Sequence, residues 1–211
     1  MVAGFRFGFE DCGSPEARPP GHRNGSSKRE NGVNPGEERR PVPNYPITSG
    51  IQRREGGRVI GAIAGDIVGS RWEGSGRKET QFDLFDRGCR FTDDSVLSIA
   101  VADCLLNGGS YGPMFHLYYE RYPYAGYGSW FAEWARSRSD RPYGSFGNGG
   151  AMRVVPVGWA FDSADDVLRE AERSAAVTHD HPEGVKGARA VALAVFLARS
   201  DGTKGEIRDE L

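Results

Sequence analysis

From Gly57 onward the apolar residues of this chain recur every three or four positions, and nowhere do they alternate over the length of a strand. In GRVIGAIAGDIVGSR, residues 57 to 71, Val59, Ile60, Ile63, Ala64, Ile67 and Val68 fall at helical spacing. Gly61, Gly65 and Gly69 stand four apart along one side of that helix. Glycine costs about 1 kcal/mol per interior helix position relative to alanine. Three in register therefore predict another backbone or a ligand close against that side. A second helix opens at Thr92, a good N-cap, and carries Val96, Leu97, Ala100, Val101, Cys104 and Leu105 to a stop at Asn107-Gly108-Gly109. Further helices are expected over 113–121 and 129–138, behind a Ser163–Asp166 cap through about Val177, and over 183–199. The segment AMRVV reads as a short helix ended by Pro156. The class is all-α, a compact multi-helix domain.

The residues before this domain have another character. Fourteen of the 44 residues from 13 to 56 are Gly or Pro, and large apolar residues are scattered singly. Such a segment cannot bury enough surface to offset its ordering entropy, so residues 1–56 read as a disordered extension and 57–211 as the helical domain. At the far end, TKGEIRDEL sets Thr203 and Glu206 at capping-box spacing, and the chain stops within two turns. The domain is expected to be incomplete at its C-terminus.

Several function classes are disfavoured. The net charge is −2, which supplies no basic field for a nucleic acid. Cys12, Cys89 and Cys104 are odd in number and lack a CxxC spacing, so neither a disulfide framework nor a structural zinc site is supported. No apolar run approaches a membrane span, and MVAGFRFGFEDCG lacks the apolar stretch of a secretory signal. Without such a signal, the likeness of Arg208 to Leu211 to a retention tag reads as chance. A cytoplasmic monomer is expected.

Three constellations carry chemistry. In RFTDDSVLSIA, Asp93 and Asp94 lie side by side in the first turn of the helix that Thr92 caps. The helix dipole favours them there by roughly 0.3–1 kcal/mol each, which explains acids in the turn but not an adjacent pair after a hydroxyl. One hydroxyl and two carboxylates are hard oxygen ligands suited to Mg²⁺. In YGSFGNGGAMRVVPVG, Gly147, Asn148, Gly149 and Gly150 form a glycine loop whose amides can converge on a phosphate, or simply a tight turn. In AVTHDHPEG, Thr178, His179, Asp180, His181 and Glu183 crowd between two helices, one histidine suited to substrate or the helix junction and the other to solvent. Asp66 interrupts the apolar first helix, which a solvated face does not explain, and Glu73 follows Trp72 just beyond it.

In order, the blocks GAIAGDIVGSRWEG (61–74), FTDDS (91–95), GNGGAMRVVPVG (147–158) and THDHPEG (178–184) resemble the ADP-ribosylglycohydrolase family, the group that includes dinitrogenase reductase-activating glycohydrolase. The resemblance implies an all-α fold with two Mg²⁺ ions. It implies hydrolysis of the N- or O-glycosidic bond that joins ADP-ribose to a protein side chain or a small molecule. It places Thr92, Asp93 and Asp94 on the metal-binding triplet and Glu73 on an acid that projects toward the metal. It places Gly147 to Gly150 on the loop that cradles diphosphate and ribose, and His179 on a pocket histidine. Asp93 and Asp94 would then hold the cation, with Glu73 as general base or proton relay. Ser95 stands where threonine is commoner. The family's second acidic motif, Gly-Asp-Thr-Asp-Thr or close to it, does not occur. An inactive fragment or an ADP-ribose-binding remnant is therefore the alternative reading, and a helical interaction domain with an unrelated Asp pair is a third.

Overall fold

Polar side chains at the N-cap set where four of the helices begin. In the computed structural model, which describes residues 59–75, 81–85 and 87–211, the α-helices run in chain order. They are α1 (Ile60–Gly69), α2 (Asp93–Asn107), α3 (Tyr111–Arg121), α4 (Ser129–Arg136), α5 (Val155–Ala160), α6 (Ala164–Ala176), α7 (Pro182–Arg199) and α8 (Lys204–Glu210). Single 3₁₀ turns lie at Ser70–Trp72 and Asn148–Gly150, and no strand occurs among the described residues. Thr92 accepts from the Asp94 amide to open α2, and Ser163 accepts from the Asp166 amide to open α6. The His181 imidazole does the same for α7 at Glu183, while Thr203 and Glu206 complete a reciprocal capping box at α8. The expected disorder of residues 1–56 lies outside the described residues.

The helix that Thr92 opens is the centre of the core. Val96, Leu97, Ala100, Val101, Cys104 and Leu105, the apolar series read from the sequence, are all buried. Around them close Tyr111 and Phe115 of α3, Phe131 and Trp134 of α4, Val157 of α5 and Val167 of α6. Each fully buried side chain of this size contributes about 1.5–3 kcal/mol relative to exposure. On α7 the buried positions are small, Gly184, Ala188 and Ala192, so neighbouring backbones approach closely. A Cβ on Gly158 of α5 would come within 2.7 Å of the Ala192 carbonyl oxygen and of Val195. Gly184 leaves no more room, because its Cβ would meet the Ser145 carbonyl oxygen at 2.6 Å. That second contact pins the start of α7 against the glycine loop.

Two expectations need correction, and a third finds no neighbour among the described residues. Pro156 does not end a helix. It sits in the first turn of α5, where its missing N–H would have had no partner, and the chain across Ala151–Arg153 is a turn. The second helix of aromatic character ends at Arg136 rather than 138, and Arg138 takes a positive φ of 48°. The glycine-lined side of α1 meets nothing among the described residues, since Cβ atoms on Gly61, Gly65 or Gly69 would find no atom within 4 Å.

Candidate functional site

Asp66 on α1 explains how the acidic turn is built. Its Oδ2 accepts from the Thr92 amide at 2.8 Å, the Ser95 amide at 3.2 Å and the Ser95 hydroxyl at 2.5 Å. Its Oδ1 accepts from the Thr92 hydroxyl at 2.6 Å. One carboxylate thus serves as a second cap for α2 from another helix, and it fastens the turn bearing Asp93 and Asp94 to α1. The Ser95 hydroxyl is used in this clasp.

Glu73, just past the 3₁₀ turn, brings its carboxylate to the same place. Ligand atoms of Asp66, Glu73 and Asp94 all lie within 4.8 Å of one another. Partial burial holds the Asp93 carboxyl up at about 6, with Asp94, Glu73 and Asp66 adding to the effect. Asp94 is raised by burial and then by Asp66. Glu73 is raised by burial, then by Asp94 and Asp66, and Arg90 opposes this. Clustered carboxylates that raise one another's affinity for a proton will also attract a cation. The all-oxygen donor set fits a hard divalent metal.

Asp93 also faces the other way. Together with Gly147, Asn148, Gly149, Arg153 and His179 it lines a cavity of about 330 Å³. The acidic turn and the glycine loop, 54 residues apart by their first members, therefore border one space. Gly150 does not line it, but packs inward on His179 and Ala175. Gly149 lies directly over the His179 ring, where a Cβ would meet Cε1 and Nε2 at 2.9 Å. His179 itself is buried while His181 is exposed, as the crowded junction predicted for one of each.

Beneath the loop, Arg153 is fully buried. Its Nη2 donates to the Ser174 carbonyl at 2.8 Å and to the Thr178 hydroxyl at 2.9 Å. Its guanidinium lies 4.3 Å over the Phe115 ring. Burial and the Arg153 charge depress the His179 imidazole to about 4, so it is neutral at ordinary pH.

Residues 48–211 match the sequence profile of the ADP-ribosylglycohydrolase family. The chain belongs to that family. Among its curated relatives is ADP-ribosylhydrolase ARH3 of Danio rerio, 31% identical over 173 residues, covering 67% of this chain and 46% of the relative. ARH3 of Homo sapiens is 30% identical over 194 residues, covering 71% and 51%. ARH3 of Xenopus tropicalis is 29% identical over 194 residues, covering 78% and 54%. The chain spans about half the length of these relatives. The all-helical architecture is that of the ADP-ribosylglycohydrolases, and the acidic group is a possible metal site of this member.

Within this family member the structure brings Glu73 and Asp94 together with Asp66, which also holds Thr92, whereas Asp93 stands outside that trio and lines the same cavity as Gly147, Asn148, Gly149 and His179. Sequence reasoning singled out Asp66 but gave it no role, although a lone acid in an apolar glycine helix was the signal. Arg153 went unassigned inside the glycine block. Its signal was a single cation among buried-type residues in AMRVVPV.

Proposed function

We propose that this domain binds ADP-ribose in the cavity beneath residues 147–150 and, with Mg²⁺, hydrolyses the N- or O-glycosidic bond that joins it to a protein side chain or small molecule. The observation that carries the reading is the shared cavity. Asp93 enters it from the acidic turn, and the glycine loop with His179 enters it from the opposite part of the chain. The relatives' printed name, ADP-ribosylhydrolase, supports the same substrate class.

Thr92, Asp93 and Asp94 would hold Mg²⁺, with Glu73 alongside. When bound there, the ion supplies charge that orients ribose hydroxyls and a water at the anomeric carbon. The protein's own residues supply the rest. Asp66 keeps the Thr92 hydroxyl and the first turn of α2 in place. Glu73, whose proton affinity is raised, is suited to accept a proton from the attacking water. The loop glycines let the backbone approach the diphosphate closely.

The test is release of free ADP-ribose from an ADP-ribosylated arginine substrate, with Mg²⁺ and with EDTA. Release that needs the metal supports hydrolysis. The second reading is binding without hydrolysis. Calorimetry with ADP-ribose separates the two, and absence of both binding and release would overturn the proposal.

A further inference from the structure

A guanidinium with no counter-ion among the described residues sits at the cavity. Arg153 has no carboxylate within ion-pair distance among the described residues, and its Nε and Nη1 find no hydrogen-bond partner there. Burying an unpaired charge is expensive, and hydrophobic side chains of similar volume would fill the space at lower cost. The cation therefore calls for an explanation beyond packing, and its hydrogen bonds point to one.

Arginine can only donate, so the Arg153 Nη2 contact occupies a lone pair of the Thr178 oxygen. The Thr178 hydroxyl so engaged still has its hydrogen to give, and the His179 Nδ1 lies 2.8 Å away in line to take it. Electrostatics favours the same choice. A neutral imidazole is a dipole with its negative end at the bare nitrogen, and the Arg153 charge lies on the Nδ1 side through Thr178. Nδ1 bare and Nε2 protonated is the lower-energy tautomer in that field.

We propose that Arg153 is a positioning residue that, through the Thr178 hydroxyl, locks His179 as the neutral Nε2–H tautomer and so presents a fixed N–H donor beneath the glycine loop. The protonated Nε2 lies 2.9 Å from where a Gly149 Cβ would be, at the edge of the cavity. An N–H there recognises an oxygen acceptor, and a phosphate or ribose oxygen of ADP-ribose is the acceptor of choice. The identity of that acceptor rests on the function proposed above, whereas the tautomer does not.

The decisive experiment is nitrogen NMR of the full chain labelled with ¹⁵N-histidine, in which the bare and protonated ring nitrogens have distinct shifts. The wild-type protein is expected to show His179 protonated on Nε2. Thr178→Val removes the relay at nearly constant volume and should release His179 toward the Nδ1–H form, and Thr178→Ser should restore the wild-type pattern. Arg153→Met should act as Thr178→Val does, and if it fails to fold, the Thr178 pair still decides. His179 protonated on Nδ1 in the wild type, or an unchanged tautomer in Thr178→Val, would overturn the proposal. Calorimetry with ADP-ribose on the same samples should show binding about tenfold weaker in Thr178→Val and near wild type in Thr178→Ser. The expected tautomers without any ADP-ribose binding would remove the substrate reading and leave the relay standing. A wrong tautomer with tight ADP-ribose binding would do the reverse.

Discussion

The two walls of the pocket carry opposite surpluses of charge. On one, Asp93 belongs to a group of carboxylates that is partly open to solvent and mutually repelling, built by fastening the first turn of α2 to Asp66 of α1. On the other, Arg153 lies fully buried under the cavity with a ring stacked against it, and its hydrogen bond to Thr178 leads on to His179. On the first wall the like charges lie close together and raise one another's proton affinity. The second is held rigid before any ligand arrives, because its hydrogen bonds leave the imidazole little freedom. A ligand suited to both has hydroxyls to offer a metal at one end and anionic oxygens at the other, and ADP-ribose is such a molecule.

The largest expected effect tests the acidic wall. If the carboxylates repel until a cation binds, Mg²⁺ at about a hundred times its Kd should stabilise the chain by roughly 2.7 kcal/mol. Asp94→Ala should raise the melting temperature in EDTA and abolish most of the Mg²⁺-dependent rise, two changes of opposite sign in one thermal-shift experiment. The Asp93 carboxyl, raised to about 6 in the folded chain, fixes the pH dependence. Its folded pKa exceeds the ordinary 3.8, so without metal its contribution is present at low pH and fades as pH rises through about 6. The Mg²⁺ effect should grow over the same window, as protons cease to compete. An Asp94→Ala protein that melts earlier in EDTA yet keeps the full Mg²⁺ rise would mean that this wall is no cation site.

Asp66→Asn sharpens the comparison by loosening the clasp while leaving Asp93 and Asp94 in place. An amide offers one acceptor oxygen where the carboxylate now takes the hydrogen bonds of Thr92 and Ser95 on two. The loss of a charged cap is expected to cost about 2 kcal/mol, read as a lower denaturant midpoint with unchanged m-value. A smaller Mg²⁺ stabilisation should accompany it, since the triplet is no longer oriented. An unchanged midpoint would mean that α2 holds its first turn without help from α1.

The two walls also differed in how readily the sequence disclosed them. The acidic wall is local: a capping threonine, two first-turn acids and a helix run from Val96 to Leu105 can be read from spacing, and the structure buries that run. Its hidden part is the link across 26 residues from Asp66, visible beforehand only as a charge in the wrong place. The arginine wall is non-local. Phe115, Ser174 and Thr178 come to Arg153 from α3, α6 and the turn after it, and no periodicity foretells a cation buried by three separate segments. Pro156 misled for a related reason, since a proline that closes one helix and a proline that opens the next look alike in sequence.

The smallest effect tests the arginine wall by its opposite slope with pH. His179 sits among Arg153, Tyr143 and the neighbouring Asp180, whose carboxylate accepts from the Gly144 amide. Its pKa is depressed to about 4 against an ordinary 6.5. Between these values the unfolded chain binds the proton that the folded one refuses, so stability rises with pH, the reverse of the Asp93 contribution. Comparison with His179→Gln isolates the effect, because the carboxylates titrate in both proteins. The difference in unfolding free energy, wild type minus variant, should fall by about 1 kcal/mol from pH 6.5 to pH 5.5 and stay level above pH 7.5. A difference that stays flat from pH 7.5 to 4.5 would place the His179 pKa near its ordinary value. The charge of Arg153 would then fail to reach the imidazole, and the asymmetry between the two walls would collapse to the acidic one alone.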